Sequence, residues 1–82
     1  MENKEQIFET LVTILVDEFE IEREEITLDS HLYTELDLDS IDTVDLVIKL
    51  QELTGKSIDP ETFKSVRTIQ HVVDAIDQLL HG

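Results

Sequence analysis

Apolar residues recur every three or four positions in three separate stretches of the chain, which is the spacing of one face of an α-helix. Each stripe can be buried only against another element, so the helices must pack together around a common core. The sequence therefore predicts an all-α fold. The stripes are Ile7, Phe8, Leu11, Ile14, Leu15 and Phe19; Ile41, Val44, Val47, Ile48 and Leu50; and Ile69, Val72, Val73, Ile76, Leu79 and Leu80.

The residues that flank the stripes are typical of helix ends. Asn3 followed by Gln6 resembles a capping box at the start of the first helix. The second helix is expected to open at Asp39 or Ser40, both good caps, and to stop at Gly55, which suits the left-handed position after a helix end. The β-branched residues inside it favour a strand by propensity, but its length and caps favour a helix.

A short additional helix is predicted between the second and third stripes. Asp59-Pro60-Glu61 has the cap, the proline and the first-turn acid of a helix start. Ser65 and Thr68 then offer new starts within a few residues, so this helix must be short, and Thr68 is the expected cap of the last helix. The predicted fold is a four-helix bundle with three long helices and a short third helix.

The connection over residues 21–39, between the first and second helices, is long for so small a domain, and long ordered loops are usually functional. Apolar residues punctuate this loop, and we expect their side chains to pin it across the helices. They are Ile26, Leu28, Leu32, Tyr33, Leu36 and Leu38.

The chain has 82 residues, which suits one domain over residues 1–82. It contains no cysteine, so disulfides and thiolate metal sites are excluded. Neither a basic start followed by an apolar run nor a long uninterrupted apolar stretch occurs in the sequence. We therefore expect a cytoplasmic protein without a membrane span.

The charge of the chain is strongly acidic and unevenly distributed. Twenty acidic residues face six basic ones, and the formal net charge of -14 makes nucleic acid and anionic membranes poor partners. Between residues 24 and 48 there is no Lys or Arg at all. Such a run is often only a solubilising surface, but here it surrounds Ser40, which favours a docking role. Its acids are Glu24, Glu25, Asp29, Glu35, Asp37, Asp39, Asp42 and Asp45.

Ser40 lies at the predicted start of the second helix. A serine at such a position is normally a cap that accepts hydrogen bonds from backbone N–H groups. The same position also suits a phosphate ester, because free N–H groups and the positive end of the helix dipole stabilise a phosphate carried on the hydroxyl.

The segment around Ser40 resembles the 4′-phosphopantetheine attachment motif of acyl carrier proteins. The resemblance is carried by Asp39-Ser40-Ile41, by Glu35-Leu36 before it and by Asp42-Thr43-Val44-Asp45-Leu46-Val47 after it. The order of the predicted helices, the length of the chain and its acidity extend this resemblance over nearly the whole sequence. The segment LDLDSID, followed by TGKSIDPETFKSVRTIQHVVDAI, is also similar to the specialised carriers of bacterial aryl polyene and related type II polyketide-like systems.

The resemblance implies a role for each matching residue. Ser40 matches the serine whose hydroxyl a phosphopantetheinyl transferase esterifies, using coenzyme A and magnesium. Asp39 matches the acid that helps to position the transferase and its metal. The acids that partner enzymes would recognise through basic patches are Asp42, Asp45 and Glu52. The residues that would border a pocket for the acyl chain are Val44, Val47 and Ile76.

The function that the resemblance implies is that of a carrier and not of an enzyme. Covalent 4′-phosphopantetheine would carry acyl groups as thioesters between enzymes of fatty acid or polyketide-like biosynthesis, with no catalytic residue and no resident metal. The expected partners are the transferase and ketosynthase, ketoreductase, dehydratase or acyl-ligase type enzymes, and the free chain is expected to be a monomer. A peptidyl or aminoacyl carrier and an acidic helical adapter without a prosthetic group are the alternatives.

The sequence departs from the family pattern at a few positions. Asp37 occupies a position where the family often has glycine, but aspartate tolerates the left-handed backbone better than most residues, so the turn can survive. Ile41 replaces the usual leucine. Lys49 and Gln51 interrupt the acidic face of the second helix, which suggests cognate enzymes different from those of ordinary fatty acid synthesis.

Two other kinds of site are rejected from the residues themselves. A calcium loop starting at Asp37 would need glycine at its sixth position and glutamate at its twelfth, and these residues are Asp42 and Ile48. A hydrolytic triad of Ser40 with a histidine lacks the Gly-x-Ser-x-Gly elbow. His31 is instead expected to form local hydrogen bonds within the loop.

Overall fold

The computed structural model describes residues 3–59, 61, 63 and 65–81 of the chain. The α-helices within these ranges are α1 (Lys4–Phe19), α2 (Ser40–Thr54) and α3 (Ile69–His81), and a 3-10 turn, η1 (Arg23–Glu25), follows α1. Each α-helix contains one of the three apolar stripes, so the helical fold predicted from their spacing is confirmed for this part of the chain. No helix in it is both long enough and apolar enough to cross a membrane.

The predicted caps are present at the ends of these helices. The Asn3 side chain accepts a hydrogen bond at 2.9 Å from the N–H three residues later and so caps α1. Asp39 caps α2, and Gly55 follows the end of α2 with a left-handed φ of 68°. Thr68 precedes α3, and its hydroxyl oxygen lies 3.4 Å from the N–H of the residue three positions on.

The three helices bury their apolar faces in a common core. Helix α1 packs mainly against α3 and also contacts α2. Burying an apolar side chain of this size stabilises a fold by about 1.5–3 kcal/mol, so the core supplies most of the stabilising free energy. The buried helical residues are Ile7, Leu11, Val12, Ile14, Leu15, Thr43, Leu46, Val47, Leu50, Ile69, Val72, Val73 and Ile76, and Ile58, Phe63 and Val66 join them from the segment between α2 and α3.

The long loop between α1 and α2 is pinned against the helices, as its apolar residues predicted. Ile26, Leu32, Leu36 and Leu38 are buried and Tyr33 is half-buried against the core. The prediction was wrong for Leu28, whose side chain is 44% exposed. It is the Leu28 backbone that attaches this part of the loop, because its carbonyl accepts a hydrogen bond from the N–H of the second residue of α3 at 2.9 Å.

Backbone hydrogen bonds join the loop to the start of α3. The Leu32 N–H donates to the Arg67 carbonyl at 2.8 Å, and the Ile69 N–H donates to the Ser30 carbonyl at 3.0 Å. Between them, residues 31 and 68 form an isolated antiparallel bridge. The loop that leads to Ser40 is therefore an ordered part of the fold.

The short helix predicted from Asp59-Pro60-Glu61 lies in part outside the described residues. The Asp59 side chain accepts a hydrogen bond from the Glu61 N–H at 2.9 Å, as expected of a cap. Pro60, Thr62 and Lys64 are not among the described residues. The four-helix count thus stays a prediction for this segment.

Among the described residues, two ion pairs connect α1 to α3 and α2, one near each end of α1. Lys4 Nζ lies 3.0 Å from Asp74 Oδ1 on α3, and Lys49 Nζ on α2 lies 3.7 Å from Glu18 Oε1. A hydrogen bond to the Asp74 carboxylate, with its charge, raises the pKa of Lys4 above its usual 10.5. Both pairs are exposed, so each contributes little to the free energy of unfolding.

Candidate functional site

Asp39, and not Ser40, is the residue that caps α2. The Asp42 N–H donates to Asp39 Oδ1 at 2.9 Å, and the Asp39 N–H donates to Asp42 Oδ2 at 3.2 Å, which together form a reciprocal capping box. Ser40 is then the first helical residue. Of the two residues expected to open the helix, Asp39 is the cap, and the capping role of Ser40 is already filled by the residue before it.

The hydroxyl of Ser40 is available for chemistry. Ser40 is exposed, and within residues 3–59, 61, 63 and 65–81 no group hydrogen-bonds to its side chain. The N–H groups of the first helical turn have no acceptor inside the helix, and the capping box uses that of Asp42. Within the described part of the chain, the N–H groups of Ser40 and Ile41 have no acceptor and can face an anion, and the helix dipole adds a partial positive charge.

The turn before Ser40 contains a residue with left-handed backbone at position 37, where a glycine was expected from the family resemblance. Asp37 has a φ of 55°, in the region that glycine adopts without cost and that aspartate tolerates better than most residues. The Leu38 N–H then donates to the Leu32 carbonyl at 3.0 Å and closes the loop on itself. The aspartate at position 37 therefore preserves the turn.

The predicted docking acids do not have equal surroundings. Asp45 and Glu52 are exposed on α2, whereas Asp42 is partly buried and its carboxylate is used in the capping box. Asp45 and Glu52 also line a cavity of about 200 Å³ between α2 and the end of α1. The other lining residues are Glu18, Phe19, Ile48 and Lys49.

The three residues predicted to border an acyl pocket lie in two different environments. Val47 and Ile76 are buried in the same core, with 4% and 1% of their surface exposed. Val44 is 51% exposed. It lies on the outer face of α2 near Ile41 and Ile48, which are 72% and 46% exposed. An exposed apolar stripe therefore runs along α2 beside the acids, starting next to Ser40.

Sequence reasoning did not identify Thr43, a buried polar residue one turn after Ser40. Its N–H and its hydroxyl oxygen each lie 3.0 Å from the Asp39 carbonyl oxygen, and its hydroxyl oxygen lies 3.4 Å from that of Tyr33. Thr43 stands three residues before Leu46 and four before Val47, on the buried face of α2. That position was the available signal, because a hydroxyl on such a face needs a polar partner.

His31 and His71 form local hydrogen bonds. Nδ1 of His31 lies 3.3 Å from the Tyr33 and Thr34 N–H nitrogens, as predicted for this loop residue. Nδ1 of His71 lies 3.1 Å from the Arg67 nitrogen at the start of α3. Neither arrangement involves Ser40, so these contacts do not form a nucleophile and base.

Comparison with known proteins identifies the family. The family model described as "Phosphopantetheine attachment site" matches residues 9–76. The chain is also 52% identical to acyl carrier protein 2 of Ralstonia nicotianae over 75 residues, which are 92% of this chain and 93% of the relative. This chain belongs to the acyl carrier proteins.

Other acyl carrier proteins agree with this assignment. The acyl carrier protein of Coprothermobacter proteolyticus is 38% identical over 78 residues, or 95% of each chain. The crystal structure of an acyl carrier protein from Thermotoga maritima matches the fold with a TM-score of 0.83, covering 98% of this chain and 92% of that one at 24% identity. The family binds 4′-phosphopantetheine, which is the prosthetic group of this carrier.

The residues at the start of α2 fit such a group. The exposed hydroxyl of Ser40 can form a phosphate ester without breaking a hydrogen bond among the described residues. The free N–H groups at the helix start can face the phosphate, and the Asp39 cap keeps the helix start formed without help from the serine.

Proposed function

We propose that Ser40 is the attachment residue and that the chain carries acyl groups on its prosthetic arm from one enzyme to the next. The observation that supports this most directly is the division of roles at the start of α2. Asp39 caps the helix and leaves the Ser40 hydroxyl exposed and unbonded among the described residues. When bound, the arm supplies a thiol that holds the acyl group as a thioester.

The residues of the chain bind and present this arm and catalyse no step. The N–H groups of Ser40 and Ile41 and the dipole of α2 compensate part of the phosphate charge. Asp39 has two roles in this proposal, because its carboxylate caps the helix and also helps to position the transferase and its magnesium ion. The chain acts as a monomer in the cytoplasm between encounters.

Partner enzymes are proposed to dock on the exposed face of α2. Asp45 and Glu52 supply the charges that basic patches recognise, and Ile41 and Val44 supply apolar contact beside Ser40. Asp42 is the third docking acid, although its carboxylate also accepts the Asp39 N–H. Rim charge pairs contribute about 0.2–1 kcal/mol each, so the summed field governs association more than any one residue does.

The pathway is proposed to be fatty acid or polyketide-like biosynthesis, with partners of the ketosynthase, ketoreductase, dehydratase or acyl-ligase type. The similarity of LDLDSID and the following segments to carriers of aryl polyene systems favours the polyketide-like branch. Lys49 supports the same choice, because it puts a positive charge within an otherwise acidic helix face.

The acyl chain is proposed to enter the core beside Val47 and Ile76, with Val44 at the mouth of the pocket. Since Val47 and Ile76 are buried, the chain can enter only if the helices move apart. A rigid polyene chain would instead stay outside. An assay of how strongly the loaded carrier protects its acyl chain from solvent distinguishes these two arrangements.

The carrier function is tested by loading the purified chain. The chain is incubated with a broad-specificity transferase, magnesium and an acyl-coenzyme A, and its intact mass is measured. We expect one acyl-phosphopantetheine adduct on the wild type and none on Ser40→Ala. Hydroxylamine should release the acyl group and leave the arm, as expected of a thioester.

Ser57→Ala is the matched control, because Ser57 is also exposed but lies outside the acidic run. This variant should be loaded like the wild type. Ser30 should also stay unmodified, because it is 3% exposed and its hydroxyl donates to the Glu25 carbonyl at 2.7 Å. An unmodified wild type under an active transferase, or a loaded Ser40→Ala variant, would overturn the proposal.

A further inference from the structure

Three oxygen atoms from the loop and the start of α2 form a row of contacts: the Tyr33 hydroxyl, the Thr43 hydroxyl and the Asp39 carbonyl. Thr43 Oγ1 is 3.0 Å from the Asp39 carbonyl oxygen and 3.4 Å from the Tyr33 hydroxyl oxygen. A carbonyl oxygen can only accept, and Thr43 has a single hydroxyl proton. Both contacts can be hydrogen bonds at the same time only when the Thr43 proton goes to the Asp39 carbonyl and the Tyr33 O–H donates to Thr43 Oγ1.

Tyr33 is held in place from the loop side as well. Its ring is half-buried against the core, and it contacts the His31 imidazole edge-on with the ring centres 6.2 Å apart. The Tyr33 nitrogen lies 3.3 Å from Nδ1 of the same histidine. The His31 backbone in turn belongs to the bridge that joins the loop to the start of α3. The phenol thus connects a fixed loop to the beginning of α2.

The acceptor in this row, the Asp39 carbonyl, affects the orientation of Ser40 directly. The Asp39 carbonyl belongs to the peptide unit that contains the Ser40 nitrogen, so its orientation sets the plane from which the Ser40 side chain projects. Both donors of Thr43, the N–H and the hydroxyl, reach this carbonyl at 3.0 Å. Thr43 itself is only 8% exposed and is fixed by the core.

We propose that Tyr33 is a positioning residue for the modification of Ser40, acting through Thr43 on the Asp39 carbonyl. This inference rests on the proposed function, in which Ser40 is the attachment residue. In the transfer, the Ser40 oxygen forms a bond to the phosphorus that bears the pantetheine. The bond from that phosphorus to the bridging oxygen of coenzyme A breaks, and 3′,5′-adenosine bisphosphate and the serine proton leave. A Ser40 hydroxyl that is held in one direction adopts the geometry needed for attack on the phosphorus more often.

Two nearly isosteric substitutions remove the hydroxyls separately, and a third restores one of them. Tyr33→Phe and Thr43→Val each delete one oxygen of the row, whereas Thr43→Ser keeps the hydroxyl. Transfer from coenzyme A is measured for each apo variant at a temperature well below its melting point. We expect Tyr33→Phe and Thr43→Val to lower kcat roughly three- to tenfold, the size expected for losing one neutral hydrogen bond. KM for the carrier should stay unchanged, and Thr43→Ser should restore most of the rate.

The double variant tests whether the two hydroxyls act as one unit. Tyr33→Phe combined with Thr43→Val should lose no more rate than the slower single variant, because the row is already interrupted. A purely structural role would lower the melting temperature and leave kcat unchanged at the assay temperature. An unchanged kcat in Tyr33→Phe, or losses that multiply in the double variant, would overturn the inference.

Fluorescence gives a readout that does not depend on the transferase. The chain has one tyrosine and no tryptophan, so its tyrosine emission comes from Tyr33 alone. Thr43→Val should change the Tyr33 emission of the folded apo chain, and Thr43→Ser should leave it near that of the wild type. Equal spectra for all three would contradict the contact. A wild type that the transferase cannot modify would instead remove the proposed function, so the two failures are distinguishable.

Discussion

Replacing Asp39 separates the structural role of this residue from its proposed role in modification. In Asp39→Ala, the Asp42 N–H loses the acceptor that now lies 2.9 Å away. Removing an N-cap side chain costs about 1 kcal/mol, within a range of about 0.5–2 kcal/mol. For a domain of this size, about 1 kcal/mol lowers the melting temperature by roughly 4–8 °C. We therefore expect Asp39→Ala to melt roughly 4–8 °C below the wild type.

Asp39→Asn is the matched control, because it keeps an oxygen acceptor at the same position and removes only the charge. Its cost should be limited to the lost interaction with the helix dipole, about 0.3–1 kcal/mol. Modification of Ser40 should nevertheless fall by roughly tenfold or more, about 1.4 kcal/mol, because the motif acid is gone. The stability of the helix should thus depend mainly on the oxygen acceptor of this side chain, and modification of Ser40 on its negative charge.

Thermal melting followed by circular dichroism at fixed salt measures the first effect, and the transferase assay at a temperature where all variants are folded measures the second. If Asp39→Ala melts at the wild-type temperature, the capping box does not stabilise α2 as the geometry requires. If Asp39→Asn is modified at the wild-type rate, the carboxylate is only a cap and has no role in positioning the transferase.

Three further outcomes are expected. Added salt or magnesium should raise the melting temperature, because both reduce self-repulsion in a chain with a net charge of -14; a flat response would refute this reasoning. Asp45→Lys combined with Glu52→Lys should lower partner-enzyme efficiency by about tenfold, mainly through association and less so at high salt, whereas the same charge change at two exposed acids of α1 should not. Val47→Trp should cost about 1–3 kcal/mol in stability and expose a long acyl chain to solvent in a protection assay, whereas Val44→Trp at the half-exposed position should cost less.

The helices could be predicted because their signals are local. Apolar spacing identifies the buried faces of α1 and α3, but on α2 the predicted stripe members Ile41, Val44 and Ile48 are exposed. Asn3, Asp39 and Gly55 mark helix ends through their own side chains or backbone conformation. Val44, Val47 and Ile48 favour a strand by propensity, but the caps and the length of the stripe outweighed this preference. Such features need no knowledge of the tertiary structure.

The loop was predictable in part. Its apolar residues predicted that the loop packs on the core, and all of them except Leu28 are at least partly buried there. The left-handed turn at Asp37 could be expected from the motif, whereas the turn over residues 23–25 has no apolar signature that would have predicted it. Leu28 is attached through a backbone hydrogen bond to α3, a tertiary contact that its apolar side chain did not indicate.

The candidate site was predictable as a motif but not as a set of interactions. The resemblance led to the proposal that Ser40 and Asp39 are site residues, yet the sequence left open which of them caps α2. The engagement of Asp42 in the capping box is local, because Asp39 and Asp42 are three positions apart, but it was not anticipated from the sequence. The ion pair of Lys49 with Glu18 on another helix depends on three-dimensional placement. Asp42 therefore makes a poor probe of docking, because its substitution also disturbs the start of α2.

The most direct test of the central claim is to locate the phosphopantetheine group in the modified chain. Trypsin cleaves after Arg23 and Lys49, so residues 24–49 are released as one peptide that contains both Ser30 and Ser40. Fragmentation of this peptide distinguishes the two serines. The account predicts that every fragment carrying the group includes Ser40 and that fragments ending before Asp39 lack it. A group located on Ser30, or on any residue outside this peptide, would contradict it.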